Sequence, residues 1–242
     1  MGFVGLYQWR PIALELSGMV HPQWRRHGIG GRLYEAAAAE IAERAPGSAL
    51  LIVDRALEEG KRFALSRGGE LDHSEHRMQQ RREPEERAGI PLVRVRPAER
   101  GDAGFVFDCA AAAFDEEPRV VEAMSEAEIE QVTAASTVIV AADSGERVGV
   151  LRVEHEGGAA SIYGFAVTPE RQGRGYGRAA LALVTRGLHR SGAGVVSLEV
   201  LSTNDNALRL YTTCGFDAIG TEDYYSMPIG VPEPPVAPSH SR

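Results

Sequence analysis

The most constraining feature of this chain is that it contains one stretch of sequence twice. Residues 20–30 read V-H-P-Q-W-R-R-H-G-I-G, and residues 167–177 read V-T-P-E-R-Q-G-R-G-Y-G. Both fit V-x-P-x-x-[R/Q]-x-x-G-x-G, and they lie 147 positions apart. The same offset, without a gap, pairs Gly2 with Gly149, Gly47 with Gly194, Leu51 with Leu198, Val53 with Val200 and Gly68 with Gly215. Chance supplies a few glycine matches but does not hold one register over about seventy residues. A chain with such self-similarity folds one supersecondary unit twice.

The copies differ in extent. The second runs from near Leu92 to near Met227; the first begins at the equivalent of Gly149 and has no counterpart to residues 92–148. The expected organisation is a partial copy over 1–80, a charged linker over 81–91, a complete copy over 92–227 and a Pro-rich disordered tail over 228–242. A partial copy without its first strand and two helices exposes a sheet edge and apolar faces. The expectation is that the gene starts upstream of Met1, or that another surface covers the gap.

Composition narrows the function classes. The chain has 242 residues, a formal net charge of −8, 43% hydrophobic and 25% charged residues, which is ordinary globular composition. Net acidity argues against non-specific nucleic-acid binding, which needs clustered Lys and Arg. Two cysteines, Cys109 and Cys214, make neither a disulfide framework nor a zinc site. His73-Ser74-Glu75-His76 lacks a spaced third ligand, so no metal is expected. Apolar runs stop well short of about 18 residues. The N-terminus lacks a secretory pattern, and Leu6 stands where a myristoylation signal needs Ser or Thr. The expected setting is cytoplasmic.

In the longer copy, Leu92–Arg96 alternates as a strand before Pro97, and Gly101–Phe114 has helical spacing. Ser125 and Glu128 form a capping box for a helix to Ala135. Thr137–Ala142 and Val148–Val153 read as a hairpin about Asp143-Ser144-Gly145-Glu146, and Ser161–Val167 as a further strand. A helix follows the glycine loop to Arg190, Val195–Leu201 is a strand, and Asn204 caps a short helix that Gly215 stops. Antiparallel strands come first and a β-α-β crossover last. The fold class is α+β: a mixed, mostly antiparallel sheet flanked by helices, in two tandem copies of which the first is partial.

Gln172-Gly173-Arg174-Gly175-Tyr176-Gly177 lies between a strand and a helix. Glycines at alternate positions let backbone N–H groups converge on an anion, the helix N-terminus adds its dipole, and Arg174 and Arg178 add charge. This suits a pyrophosphate, and a plain structural turn remains the bland reading. A Rossmann loop needs G-x-G-x-x-G directly after the strand, whereas Val167-Thr168-Pro169-Glu170-Arg171 intervenes here. A Walker loop needs G-K-[S/T], which is absent.

The loop motif, followed by L-E-V-x-x-x-N-x-x-A-x-x-x-Y-x-x-x-G-F at Leu198-Glu199-Val200, Asn204, Ala207, Tyr211 and Gly215-Phe216, resembles the GNAT N-acetyltransferase superfamily. The Glu and Tyr spacing is similar to that of ribosomal-protein alanine N-acetyltransferases, and the tandem layout to that of mycothiol-synthase-type enzymes. The resemblance implies acetyl-CoA as co-substrate. Its pyrophosphate would lie on Gln172, Gly173, Arg174, Gly175, Tyr176, Gly177 and Arg178, and its pantetheine arm along Phe165, Ala166 and Val167 and beside Asn204 and Ala207.

Acyl transfer to an amine needs a neutral amine, donors for the developing oxyanion, and a proton for the leaving thiolate. Tyr211 lies two helical turns after Asn204, on the same face, and is the expected acid; it also suits a core position beside Leu208 and Leu210. Glu199, facing away from Leu198 and Val200, is the expected proton acceptor, or else a solvated strand-end carboxylate. A backbone N–H near Ala166 or Val167 is the expected oxyanion donor. Cys214 reads as a buried small hydrophobe. Asp115-Glu116-Glu117 is an acidic loop that would suit a cationic amine or simply solvent.

Under the offset of 147, Glu199 falls on Ile52, Asn204 on Leu57 and Tyr211 on Ala64, so the first copy keeps its loop, Arg25-Arg26-His27-Gly28-Ile29-Gly30, but none of the proposed catalytic groups. The expected function is acetyl-CoA-dependent N-acetyl transfer to a primary amine by direct attack on the thioester. The alternative is a non-catalytic acyl-CoA-binding regulatory module. Expected partners are an amine-bearing small molecule or a protein N-terminus or lysine, with no nucleic acid and no membrane, and with a homodimer open.

Overall fold

The computed structural model describes residues 1–10, 13–44, 48–84, 88–114 and 124–228. The acidic loop at Asp115-Glu116-Glu117 and the tail beyond Pro228 therefore lie outside the described residues. The elements in order are β1 (Gly2–Arg10), β2 (Ala13–Val20), α1 (Ile29–Arg44), β3 (Ser48–Asp54), α2 (Glu58–Ser66), β4 (Glu70–Gln80), β5 (Val93–Pro97), α3 (Ala103–Phe114), α4 (Glu126–Ala135), β6 (Ser136–Ala141), β7 (Arg147–Glu156), β8 (Ala159–Val167), α5 (Tyr176–Arg190), β9 (Val195–Leu201), α6 (Asp205–Thr213) and β10 (Phe216–Ser226).

The repeat read from the sequence is a repeat of structure. β3 and β9, and α2 and α6, are related by 147 positions at both ends, and α1 and α5 begin 147 apart. Short 3-10 turns at Pro22–Trp24 and Pro169–Arg171 keep the same offset. So do the left-handed residues: Arg26 and Gly28 have φ of 65° and 76°, Gly173 and Gly175 have 70° and 87°.

The chain divides into two compact units, Met1–Glu75 with 220–242, and His76–Ile219. These units depart from the repeat at its last strand. In the first unit, Glu222–Ser226 of β10 pair antiparallel with Leu50–Asp54 of β3, which runs parallel to β2. In the second unit the sheet order is β4-β9-β8-β7-β6-β5. The end of β4 is fixed there by Gln80, whose Nε2 donates to the Cys214 carbonyl at 3.0 Å. Arg81 and Arg82, expected in the linker, donate their backbone N–H groups to the Gly215 carbonyl.

The second unit's core lies between α5 and the sheet. Ala180, Leu181, Val184 and Leu188 recur at helical spacing on α5 and pack with Ile162, Val196, Leu198 and Val200. Met78, from β4, is buried in the same cluster. The opposite face of β7 and β8 is covered by α3, where Val106 and Cys109 meet Val150 and Ala166. The Asp102 carboxylate anchors the start of α3: Arg96 donates to it at 2.6 and 3.1 Å, Arg147 at 3.2 Å and the Glu99 N–H at 2.8 Å.

Among the described residues, the equivalent face of the first unit is open. Phe3 and Met19 hold the positions equivalent to Val150 and Ala166, yet are 58% and 61% exposed against 3% and 4%. Its own core packs Leu14, Leu16, Ile41, Leu51 and Tyr225. A polar node in this unit joins Asp223 to the Arg55 guanidinium at 2.6 Å and the Ser74 hydroxyl at 2.8 Å. Burial works against the charge of Asp223, but these hydrogen bonds hold its carboxyl below the ordinary value. His73 stacks on Tyr224 with ring centroids 4.3 Å apart. No helix among the described residues is long and apolar enough to cross a membrane.

Candidate active site

The site forms where β8 and β9 separate. They pair in parallel from Ala159↔Val195 to Ile162↔Leu198, and the pairing stops there. On its other edge, β8 carries a bulge against β7: Val150 pairs with Ala166 and Arg152 with Tyr163, so two residues of β8, Gly164 and Phe165, stand against Leu151 alone. Gly164 takes φ of 53°, which a residue with a side chain rarely adopts. The bulge flips the alternation of the strand. Before it, Ala160 and Ile162 face the α5 core; after it, Phe165 and Val167 do so.

At the end of β8 the chain enters the glycine loop. Thr168 and a one-turn 3-10 helix precede it, and Gln172 braces it by donating Nε2–H to the Val167 carbonyl at 3.0 Å. In the first unit Arg25, the equivalent of Gln172, donates to the carbonyl of Val20, the equivalent of Val167, at 3.1 Å. Gly173 and Gly175 are both left-handed, and a Cβ on Gly173 would point into open space. The loop delivers the chain to the N-terminus of α5, a 15-residue helix. This arrangement of bare backbone and helix N-terminus fits a pyrophosphate group.

The residues expected around the loop fall into two groups. Gln172, Gly173, Arg174, Gly175 and Gly177 shape or border it. Tyr176 is buried in the α5 core and brings only its backbone. Arg178 is also buried, and its guanidinium is committed to the end of α6, bonding the Thr213 carbonyl at 3.0 Å and the Thr213 hydroxyl. The sequence assigned its charge to the loop; the fold uses that charge to tie α5 to α6.

Tyr211 and Glu199 lie on opposite faces of the sheet. Tyr211, 7% exposed, packs in the α5 core with ring centroids 6.4 Å from Phe165 and 6.2 Å from Phe216. Burial pushes its phenol up to about 12, with the nearby Cys214 acting in the same direction. It is thus a group that keeps its proton. Asn204 caps α6 through a bond from the Ala207 N–H to its Oδ1 at 3.1 Å, which sets the helix that carries Tyr211. Cys214 is fully buried beside Tyr211.

Glu199 is exposed on the other face and lines a cavity of about 200 Å³ with Arg77 and Gln79 of β4, Ser161 and Tyr163 of β8, Val195, Ser197 and Leu198 of β9, and Ile219. The Ser161 and Ser197 hydroxyls are 2.9 Å apart. Sequence reasoning missed Arg77 and Gln79. Their signal is the alternation around buried Met78, which marks β4 as a strand with one face to the core.

Comparison with known proteins gives the family and the fold. Residues 107–216 match the model of the acetyltransferase (GNAT) family. The chain is 31% identical over 235 residues to a mycothiol acetyltransferase of Nocardioides sp., covering 85% of this chain and 77% of that protein. In structure it is similar to a GCN5-related N-acetyltransferase from Sphaerobacter thermophilus, with a TM-score of 0.75 at 21% identity over 95% of this chain and 77% of the other. It is also similar to a tandem GNAT protein from the clavulanic acid biosynthesis pathway, with a TM-score of 0.67 at 16% identity over 91% of this chain and 76% of the other. At such identity these two likenesses speak to the fold.

Proposed function

The chain belongs to the acetyltransferase (GNAT) family, and we propose that it moves the acetyl group of acetyl-CoA to a primary amine by direct attack on the thioester. The observation that carries this reading is the gap opened beyond Ile162 and Leu198, with an exposed carboxylate on one face, a protonated phenol on the other, and the glycine loop at its end.

Acetyl-CoA supplies the activated acyl group. The loop from Gln172 to Gly177 and the N-terminus of α5 would hold its pyrophosphate, and the unpaired edge of β8 from Tyr163 to Val167 would hold the arm. Glu199 takes the proton from the incoming ammonium, whose free pKa is about 10.4, so that a neutral nitrogen attacks. A backbone N–H near Ala166 or Val167 faces the carbonyl oxygen as charge develops there. Tyr211 gives its hydroxyl proton to the departing sulfur. The N–C bond forms as the carbonyl oxygen becomes an oxyanion, and the C–S bond breaks as the carbonyl re-forms; of the two protons the ammonium loses, one leaves through Glu199 to solvent and the other replaces the proton that Tyr211 passes to sulfur.

The first copy, 1–80, is read as a partial, non-catalytic domain, and 92–227 as the catalytic one. What supports this is that Ile52, Leu57 and Ala64 stand where Glu199, Asn204 and Tyr211 stand in the second copy.

Calorimetric titration with acetyl-CoA, with NADH as control, tests the reading, followed by a panel of amines. Saturable binding of acetyl-CoA and acetylation of an amine are expected. Binding without transfer to any amine would replace the enzyme by an acyl-CoA-binding module, and no binding by folded protein would remove both.

A further inference from the structure

We propose that Arg178 is a positioning residue for the acid: its guanidinium ties the start of α5, beside the glycine loop, to the last turn of α6, and so sets where the Tyr211 hydroxyl stands relative to that loop. This rests on the catalytic reading of Tyr211 given above and deepens it.

Tyr211 lies in the final turn of a nine-residue helix that ends at Thr213. The last carbonyls of a helix have no intrahelical donor, and such a turn frays unless other donors reach it. Here they do. The Cys214 N–H donates to the Leu210 and Tyr211 carbonyls at 3.0 and 2.9 Å, and the Gly215 N–H to the Thr212 carbonyl at 3.1 Å. The Thr213 carbonyl takes its donor from another helix, the Nη1–H of Arg178 at 3.0 Å, while the Arg178 Nη2–H bonds the Thr213 hydroxyl. That hydroxyl in turn donates to the Arg209 carbonyl at 2.8 Å. A cation at this end also complements the dipole of α6.

The junction is close-packed as well as bonded. Gly177, the residue before Arg178, lets α5 approach α6: a Cβ there would come 3.3 Å from Leu210 Cδ2 and 3.7 Å from Phe165 Cζ. One covalent arm joins the pyrophosphate of acetyl-CoA to its sulfur. A group that meets the sulfur must therefore hold its place relative to the loop that holds the pyrophosphate, and a misplacement of about 1 Å can cost about a hundredfold in rate.

The first unit provides the comparison that separates positioning from mere filling. Gly31 stands at the position of Arg178, and Ala64 at that of Tyr211. A guanidinium still fills the junction of α1 and α2, but it comes from Arg67, just past the end of α2. A Cβ on Gly31 would come 2.6 Å from its Nη2, and it lies over the Tyr34 and Phe63 rings at 5.3 and 5.5 Å. Closing this junction does not need an arginine on the helix that follows the loop. The copy that carries the tyrosine is the copy that carries the tie to the tyrosine's own turn.

The test is a double-mutant cycle of Arg178→Met and Tyr211→Phe, which isolates the coupling between the two side chains. It reads kcat at saturating acetyl-CoA, with the fastest amine of the panel and separately with hydroxylamine, and the Kd of acetyl-CoA by calorimetry. Arg178→Met is expected to lower kcat about tenfold with little change in Kd, and to cost less than about twofold in the Tyr211→Phe background. Thr213→Val removes only the hydroxyl partner, at a half-buried position, so it keeps the test open if Arg178→Met does not fold; its loss in kcat is expected to vanish in the Tyr211→Phe background in the same way. Equal losses in both backgrounds would make the tie a general support of the fold and overturn the proposal, as would no loss at all, or a Kd weakened in step with kcat. The two readings fail separately. Tyr211→Phe as fast as wild type removes the acid and its positioning together, whereas a slow Tyr211→Phe without coupling to Arg178 leaves the acid and sinks only the positioning role.

Discussion

Ile162 and Leu198 are the last residues across which β8 and β9 pair. One residue further along each strand, Tyr163 and Glu199 line the open cavity. The pairing thus ends at the residue before the proposed base. The bulge at Gly164 gives this a local cause, since a bulge bends its strand and interrupts the regular ladder. It also turns Phe165 towards Tyr211.

Tyr211→Phe is expected to lower kcat by at least about tenfold, with little change in the Kd of acetyl-CoA, since a positioned acid contributes about a hundredfold or more. Phenylalanine keeps the ring that packs on Phe165 and Phe216, so stability should hold. Because burial pushes the phenol up to about 12, the wild-type kcat should show no falling limb from this group near pH 10. Unchanged turnover in the variant would remove Tyr211 as the acid.

Glu199→Gln removes the proposed proton acceptor from an exposed strand position and should leave folding intact. A loss of about a hundredfold in kcat/KM for the amine is expected, with the Kd of acetyl-CoA little changed. Steady-state kinetics and calorimetry read the two. Unchanged kcat/KM would remove Glu199 as the proton acceptor.

Gly175→Glu should abolish acetyl-CoA binding in calorimetry. The position has φ of 87°, and a Cβ there would come 3.0 Å from Pro91 Cδ. The added carboxylate would also repel a pyrophosphate at the same helix end. Retained binding would place the cofactor away from this loop.

Asp102→Asn should cost about 1–3 kcal/mol, read by denaturant unfolding, since it weakens hydrogen bonds to two arginines at a buried site. The hydrogen bond from Arg96 is the main cause holding its carboxyl far below the ordinary value, against the opposing effect of burial. Its folded pKa is lower than its unfolded one, so this stability is fully present above about pH 3.9 and is lost as pH falls through the depressed value. Wild type should therefore lose its advantage over the variant in strong acid.

Much of the second copy was legible because local chemistry marks its elements. The Ser125–Glu128 capping box is present, with the Glu128 N–H donating to the Ser125 hydroxyl. Asn204 caps α6, Val195–Leu201 is the strand expected, and Gly215 ends α6 with φ of 86°. The placement of the Arg178 guanidinium was not legible, because a buried guanidinium and a solvent-facing one have the same sequence signature; only the packing of α6 shows that it bonds Thr213.

By itself, the sequence determined the repeat, the loop between strand and helix, the fold class and the residue types available for acyl transfer. These follow from periodicity, turn chemistry and spacing, which act over a few residues. Tertiary structure alone decided where pairing between β8 and β9 ends, that Glu199 and Tyr211 take opposite faces, and that Arg77 lines the cavity. Those depend on strand register and on contacts between residues far apart in the chain, as with Arg77 and Glu199, which no local pattern encodes.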